Sequence, residues 1–330
     1  MYFSIGDKVW RSKTSVPEQY MNQPQPTFSI VVPTYNRPEK LISFLRALVL
    51  MDYPRDRFEV IVVDDGGRTT LGPEVAAFKN DLNIVLLSAA HGGPAKARQT
   101  GIDIARGRFL AFTDDDCAPD VNWLNTLETV FNESPDAAVG GQTINALKDN
   151  PYSSASQLLI TYLYRFYNAD PNHARYFATN NLALPAEHFR AMGGLDLTWS
   201  ISGGEDRDLC ERWLRKGYPM TYVPEALIYH AHELTFRSFL RQHFNYGRGA
   251  FRYHYVQSYP QKENIKLEPF SFYLRLPLFA FSQMPANQAG LIAMLLVISQ
   301  GANTAGFFSE WLGSLWTTKR LMAEASRLGS

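Results

Sequence analysis

The sequence has few cysteines and no excess of charge of either sign. Cys117 and Cys210 are its only cysteines, too few for a disulfide framework, and they are not spaced like metal-binding CxxC pairs. Lys and Arg together number 32, as do Asp and Glu, so the formal net charge is +0. We therefore expect a reducing compartment and no nucleic-acid partner, because the broad electrostatic attraction to DNA or RNA is missing.

Long hydrophobic runs are also missing. Residues 1–26 contain charges, Pro and Gln but no apolar stretch of signal-peptide length, so we predict a flexible leader and no export. The cleanest apolar run, 289–298, is about half of the roughly 20 residues that a membrane-spanning helix needs. Gln300 and Asn303 interrupt it. We predict a helix at 288–308 that lies on a membrane or packs on the protein, and a single membrane span is the less favoured alternative.

From Phe28 onward, short β-branched runs alternate with longer helical stretches, which is typical of parallel strands connected by helices. The predicted strands are residues 28–32, 58–63, 83–87 and 108–113. Each is apolar throughout, as expected when both faces of a strand are covered. The pattern predicts a doubly wound α/β sheet, and in such sheets ligands bind beyond the carboxyl ends of the strands.

Three of these strand ends carry unusual polar residues. They read PTYNR at 33–37, DDGG at 64–67 and DDD at 114–116. Three adjacent carboxylates repel one another unless a cation or hydrogen bonds hold them. Asp114 and Asp116 are spaced so that both could approach one Mg²⁺ or Mn²⁺. The alternative is a solvated acidic loop, or caps for the next helix.

The segment His91-Gly92-Gly93-Pro94 opens another predicted helix. Proline is favourable in the first turn, and the glycines let backbone N–H groups approach an anion. Arg98, one turn into the helix, would add positive charge. The alternative is an ordinary turn followed by a surface arginine.

The strongest signal is an ordered set of motifs. In chain order they read FSIVVPTYNRP, VIVVDDGG, GGPAKARQTGIDIARGRFLAFTDDDCAPD, ATNNLALP, GGEDRDLCERWLRKGY and VPEALIYH. Between about Phe28 and His230 this set resembles family 2 glycosyltransferases. The resemblance implies the GT-A fold, a nucleotide-diphosphate sugar donor, a divalent cation (Mn²⁺ or Mg²⁺) and inversion at the anomeric carbon by single displacement.

We therefore predict an α/β protein with a doubly wound, mixed, mostly parallel sheet flanked by helices. The GT-A domain is expected at 27–232, with a nucleotide-binding half at 27–137 and an acceptor half at 138–232. Residues 233–330 are expected to form a helical, apolar, membrane-associating extension. Its arginines, 237, 241, 248 and 252, could meet lipid head groups or acceptor phosphates, or form a solvated basic face.

The resemblance also assigns site residues. For the donor nucleotide it implies Pro33, Thr34, Tyr35, Arg37, Asp65, Arg98, Asp114 and Asp115, with Asp115 ambiguous between donor and metal. For the metal it implies Asp116, Asp114 and His230; His232 is an alternative because it would point to the same side of a strand. For the acceptor we predict Trp199, Gly204 and Asn181, although Trp199 could equally belong to the core.

The acidic pair Glu205-Asp206 contains the general base in the family, and here we favour Asp206. A sugar hydroxyl is a weak nucleophile, so a positioned carboxylate that takes its proton assists the attack. The alternative is structural, because acidic residues are favoured at helix N-termini whether or not they do chemistry.

These inferences predict a single-addition glycosyltransferase, because the QxxRW signature of processive synthases is missing. The resemblance implies polysaccharide, glycolipid or lipid-linked oligosaccharide synthesis, with a saccharide or lipid-linked acceptor. We expect the enzyme at the cytoplasmic face of a membrane, as a peripheral or monotopic protein. The alternative is a non-catalytic subunit that binds a nucleotide sugar, and the intact Glu205-Asp206 pair argues against it.

Overall fold

The computed structural model describes residues 24–198, 203–258 and 268–328. Within them an eight-stranded sheet forms the centre of the protein. Its strands are β1 (Phe28–Thr34), β2 (Phe58–Asp64), β3 (Ile84–Ser88), β4 (Phe109–Phe112), β5 (Cys117–Pro119), β6 (Ala138–Asn145), β7 (Leu182–Pro185) and β8 (Met220–His230). The four predicted strands are confirmed, with ends that differ by one or two residues.

The sheet is mixed and mostly parallel, as predicted, in the order β3-β2-β1-β4-β7-β6-β8-β5. Strands β1 to β4 run parallel, so their carboxyl ends share one edge. Strand β7 is antiparallel to β4 and β6, and β5 is antiparallel to β8. Every residue of β1 and β2 is buried, because helices cover both faces of the sheet.

Seven α-helices lie in the part of the described chain that precedes residue 216. They are α1 (Pro38–Val49), α2 (Gly72–Ala76), α3 (Pro94–Ile102), α4 (Trp123–Glu133), α5 (Pro151–Tyr167), α6 (Ala186–Ala191) and α7 (Glu205–Arg215). Alternate strand residues enter two cores: Ile30 packs with Phe44 on one face, and Val31 packs with Phe189 on the other. The doubly wound architecture is thus confirmed.

Three further helices follow the sheet: α8 (Phe236–Ser258), α9 (Phe270–Gln283) and α10 (Ala286–Leu328). Together with α5 they form a third core that includes Leu159, Phe239 and Leu276. Helix α10 contains the predicted 288–308 helix. Its segment Ala286–Leu315, 30 residues long with an 18-residue stretch of mean hydropathy 1.6, is long and apolar enough to cross a membrane by length and composition alone. The surface helix and the single span therefore both stay predictions.

Helices α8 and α10 pack backbone against backbone. A Cβ atom on Gly247 would collide with the Asn303 carbonyl oxygen, and one on Gly306 would collide with the carbonyl oxygen of Phe244. One turn further along, Glu310 accepts hydrogen bonds from Arg248 Nε and Arg252 Nε, both at 2.7 Å. These two arginines therefore pair with a carboxylate of α10 while about 30% of each side chain stays exposed, and their contact with lipid or acceptor phosphates stays a prediction.

Helix α8 also lies against the turn that precedes α7. A Cβ atom on Gly249 would collide with the carbonyl oxygen of Gly203. The leader expected at 1–26 falls almost entirely outside the described residues. The division of the chain at 137/138 and 232/233 stays a prediction.

Candidate active site

The carboxyl ends of β1, β2 and β4 open into a cavity of about 760 Å³. The predicted residues that line it are Pro33, Thr34, Tyr35, Arg37, Asp65, Arg98, Asp114, Asp116, Gly204, Glu205, Asp206 and His230. Parallel strands bring the three polar strand ends together there, as the sequence predicts. Asp115 and Asn181 are predicted site residues that do not line the cavity, and Trp199 lies outside the described residues.

One end of the cavity is organised by Asp65. Its carboxylate accepts hydrogen bonds from Gly92 N at 2.8 Å and Gly93 N at 2.9 Å, which fixes the turn before α3. The sequence predicted that backbone N–H groups of this turn could bind a ligand anion. Instead, the N–H groups of Gly92 and Gly93 bind a carboxylate of the protein itself. The Tyr35 ring stacks on His91, with ring centroids 4.4 Å apart, and leaves an aromatic face at the cavity wall.

The three consecutive aspartates have three different environments. Asp114 forms an ion pair with Arg98 at the cavity wall. Asp115 points into the fold, where its carboxylate accepts a hydrogen bond from Thr34 Oγ1 at 2.6 Å and pairs with Arg37 at 2.5 Å. Burial raises the pKa of Asp115 to about 6. The assignment of Asp115 as a donor contact is therefore wrong: it holds Thr34 and Arg37, which do line the cavity.

Asp116 faces His230 across the cavity wall. Asp116 Oδ1 lies 3.2 Å from His230 Nε2, and its Oδ2 accepts a hydrogen bond from Arg37 at 3.0 Å. Burial alone would raise the pKa of Asp116, but the adjacent His230 imidazole holds it below its usual range. His232 is further away, with its Nδ1 atom 4.0 Å from Asp116 Oδ2, and its Nε2 is engaged with Gln242.

These residues fit a divalent cation. One carboxylate oxygen, one imidazole nitrogen and the Cys117 sulfur lie within 4.8 Å of one another. His230 Nε2 is buried without a well-aligned hydrogen bond in the described part of the chain. Burial raises the pKa of the Cys117 thiol well above its ordinary value, so it stays protonated and is a poor ligand. Oxygen and imidazole ligands suit Mn²⁺.

The acidic pair stands at the start of α7, after a turn in which Gly203 and Gly204 have φ angles of +115° and +105°. Glu205 Oε2 accepts a hydrogen bond from Gly203 N at 2.5 Å, which stabilises this turn. Asp206 is half-buried, and its Oδ1 atom has no hydrogen-bond partner among the described residues. Burial, followed by the charge of Glu205, raises the pKa of Asp206 to about 7.

A carboxylate with these properties suits proton transfer, because general bases work best when their pKa is near the working pH. A helix N-terminus favours the ionised form of a carboxylate, so a purely capping role would not raise the pKa. The geometry therefore favours Asp206 over Glu205 as the base.

Asn181 is a structural residue. Its carbonyl oxygen accepts a hydrogen bond from Trp123 Nε1 at 3.0 Å, and its amide donates to the backbone oxygens of Gln142 and Ala226. The predicted acceptor role of Asn181 is therefore wrong, because its side chain is buried and fully used. The preceding residue, Asn180, lines the cavity instead.

Sequence reasoning missed the far wall of the cavity, which α5, α8 and α10 provide. Tyr167 hydrogen-bonds to both Glu268 and Arg207, and all three side chains line the cavity. Gln300 and Asn303 of α10 also line it. These two residues could have been found from the sequence, because they are polar residues within an apolar run and their spacing of three places both on one helix face.

Comparison with known sequences places this geometry in a family. The profile described as Glycosyl transferase family 2 matches residues 29–193, half of the chain, and one described as the N-terminal domain of galactosyltransferase matches 165–234. Glycosyltransferase AglE of Haloferax volcanii is 26% identical over 235 residues, which cover 70% of this chain and 75% of that protein. The pre-mycofactocin glycosyltransferase of Mycobacterium tuberculosis is 27% identical over 67% of this chain, but the match spans only 46% of that protein.

Solved structures share the fold. Mannosyltransferase PcManGT from Pyrobaculum calidifontis, in complex with GDP-Man and Mn²⁺, superposes with a TM-score of 0.59 at 18% identity, covering 91% of this chain and 92% of that one. TarS 1–349 of S. aureus, in complex with UDP-GlcNAc, gives 0.51 at 16% identity, covering 85% and 89%. The chain belongs to glycosyl transferase family 2 and is a glycosyltransferase with the GT-A fold.

Proposed function

We propose that the enzyme transfers a sugar from a nucleotide-diphosphate donor to a hydroxyl acceptor by single displacement, with inversion at the anomeric carbon. One observation carries the proposal: a single cavity holds the Asp116–His230 pair and, apart from it, the unpartnered Oδ1 atom of Asp206. A metal-binding pair and a separate base are the two groups that such a reaction requires.

The donor end of the cavity suits a nucleotide diphosphate. The Tyr35 face and Asp65 would border the nucleoside, and the guanidinium groups of Arg37 and Arg98 would approach the diphosphate. Asp116 and His230 would hold a divalent cation, together with Asp114 as the family resemblance implies. When bound, Mn²⁺ or Mg²⁺ supplies a Lewis acid that stabilises the charge developing on the leaving diphosphate.

At the other side of the reacting carbon, Asp206 would orient the acceptor hydroxyl and take its proton. The bond from the acceptor oxygen to the anomeric carbon forms as the bond from that carbon to the diphosphate oxygen breaks. The nucleoside diphosphate leaves with the electron pair, and the proton stays on Asp206. Attack from the face opposite the leaving group inverts the anomeric centre.

We place the enzyme at the cytoplasmic face of a membrane, in polysaccharide, glycolipid or lipid-linked oligosaccharide synthesis. The uncovered apolar side chains of α9 and α10 support a membrane location. Relatives named as a hyaluronan synthase and a poly(ribitol-phosphate) β-N-acetylglucosaminyltransferase support polysaccharide synthesis. A non-catalytic nucleotide-sugar-binding subunit is disfavoured, because a half-buried carboxylate with a raised pKa has no use in such a protein.

The test is donor hydrolysis by the purified full chain across a nucleotide-sugar panel, with Mn²⁺, Mg²⁺ or EDTA. We expect cation-dependent loss of one donor, and loss of that activity in Asp116→Ala. The matched control is Asp120→Ala, because Asp120 lies four residues further on and is not among the cavity-lining residues. Activity retained in Asp116→Ala would contradict the metal assignment, and the absence of both turnover and nucleotide binding would contradict the function.

A further inference from the structure

The cavity continues past Asp206 into the C-terminal helices. Six apolar side chains of α5, α9 and α10 line it, among polar side chains of the same helices such as Gln157, Gln300 and Asn303: Leu159, Ile160, Leu163, Phe272, Phe307 and Phe308. These six side chains cannot replace the hydrogen bonds that sugar hydroxyls make with water, and burying an unpaired hydroxyl is costly. They are therefore suited to a hydrocarbon, and the polar side chains beside them are suited to a head group.

Helix α10 separates this channel from an uncovered apolar surface. The residues that it turns towards the cavity, Gln300, Asn303, Thr304 and Phe307, recur at the three- to four-residue spacing of one helix face. A different face carries Leu291 and Met294, which are 46% and 53% exposed. Helix α9 extends the same surface with exposed apolar residues.

Two side chains belong both to the cavity wall and to the outer surface. Tyr273 of α9 and Phe308 of α10 line the cavity and are also 36% and 51% exposed. An apolar molecule that lies against α9 and α10 could enter the cavity beside them. Contiguous exposed apolar surface of this kind is typical of membrane contacts.

We propose that this channel binds the apolar chain of a lipid acceptor, whose hydroxyl group or sugar head reaches Asp206 from the membrane side. The inference rests on the proposed function, and it specifies the acceptor class for the same site. The polar cluster of Tyr167, Arg207 and Glu268 lies at the cavity wall and would contact the head group. Each methylene group that enters the channel should strengthen binding by about fourfold.

The test is photolabelling of the full chain with a diazirine-bearing hexadecanol, compared with a diazirine-bearing butanol. In the wild-type protein we expect at least about tenfold more labelling by the long alcohol, with the label on residues of the cavity face such as Asn303 and Phe307. Label confined to Leu291 and Met294, or equal labelling by the two alcohols, would overturn the proposal. The labelled positions are determined on the wild-type protein, so this experiment does not depend on the folding of a variant.

Two tryptophan variants of α10 sharpen the test. Thr304→Trp fills the channel from an exposed position, and Ala305→Trp adds the same side chain at the neighbouring exposed position, which does not line the cavity. We expect hexadecanol labelling to fall at least about fivefold in Thr304→Trp and to stay at the wild-type level in Ala305→Trp. Equal labelling of the two variants overturns the proposal. Wild-type donor hydrolysis is measured separately, so failure of the proposed function is recognised independently.

Discussion

The two ends of the cavity are built differently. At the donor end, strand termini and short turns hold charged side chains through ion pairs, such as those between Arg98 and Asp114 and between Asp116 and His230. At the acceptor end, helices far apart in sequence meet through apolar side chains and glycines. The proposed donor site is therefore encoded in local motifs, whereas the proposed acceptor site depends on how the helices pack.

The largest expected effect on activity comes from replacing Asp206, between the two ends of the cavity. Asp206→Asn keeps the shape of the side chain but cannot accept a proton, so we expect transfer to fall by roughly 10²- to 10⁴-fold. Nucleotide affinity, measured by calorimetry, should change little, because the donor contacts are on the strand ends. If Glu205→Gln loses activity while Asp206→Asn keeps it, the base is Glu205.

The pH dependence of transfer tests the same residue without a large structural change. The pKa of Asp206 is about 7, and only its ionised form can take a proton. We expect kcat/KM to rise about tenfold per pH unit below pH 7 and to level off above it. The rise should be absent from the residual activity of Asp206→Asn. A flat wild-type profile between pH 5 and 8 would contradict the assignment.

At the acceptor end, the sharpest test is a pair of glycines in α10. A methyl group on Gly306 would collide with the backbone of α8, whereas one on Gly301 meets open space. We expect Gly306→Ala to lower the Tm by several degrees, because the helices must separate. Gly301→Ala should be neutral or stabilising by up to about 1 kcal/mol, because alanine favours the helix. Equal melting temperatures of the two variants would contradict the close crossing.

The smallest expected effect is on stability, and its sign is opposite to that on activity. The pKa of Asp206 is about 7 in the folded protein and about 3.8 in an unfolded chain. The folded state therefore binds the proton more tightly, and stability falls as the pH rises from about 4 to about 7. We expect Asp206→Asn to be more stable than wild type at pH 8 and not at pH 4, by less than the roughly 4 kcal/mol that the full pKa difference represents, because the carboxylate is partly exposed. A Tm difference that is the same at both pH values would contradict this.

The features that could be predicted from the sequence are those encoded in short segments of it. Buried strands read as apolar runs, and their polar ends are adjacent in the fold because parallel strands share an edge. The sequence could not distinguish Asn181 from Asn180, or Asp115 from its neighbours, because a short turn decides which side chain faces the cavity. It also could not pair Arg248 and Arg252 with Glu310, which lies 62 and 58 residues away.

The contact between Gly249 and Gly203 limits how the chain can vary. Glycine within a helix costs about 1 kcal/mol relative to alanine, yet no larger residue fits at position 249 while the turn before α7 stays in place. Substitutions at positions 203 and 249 are therefore expected to depend on each other. This pair of glycines thereby fixes how closely α8 approaches the turn that leads to Asp206, the proposed base.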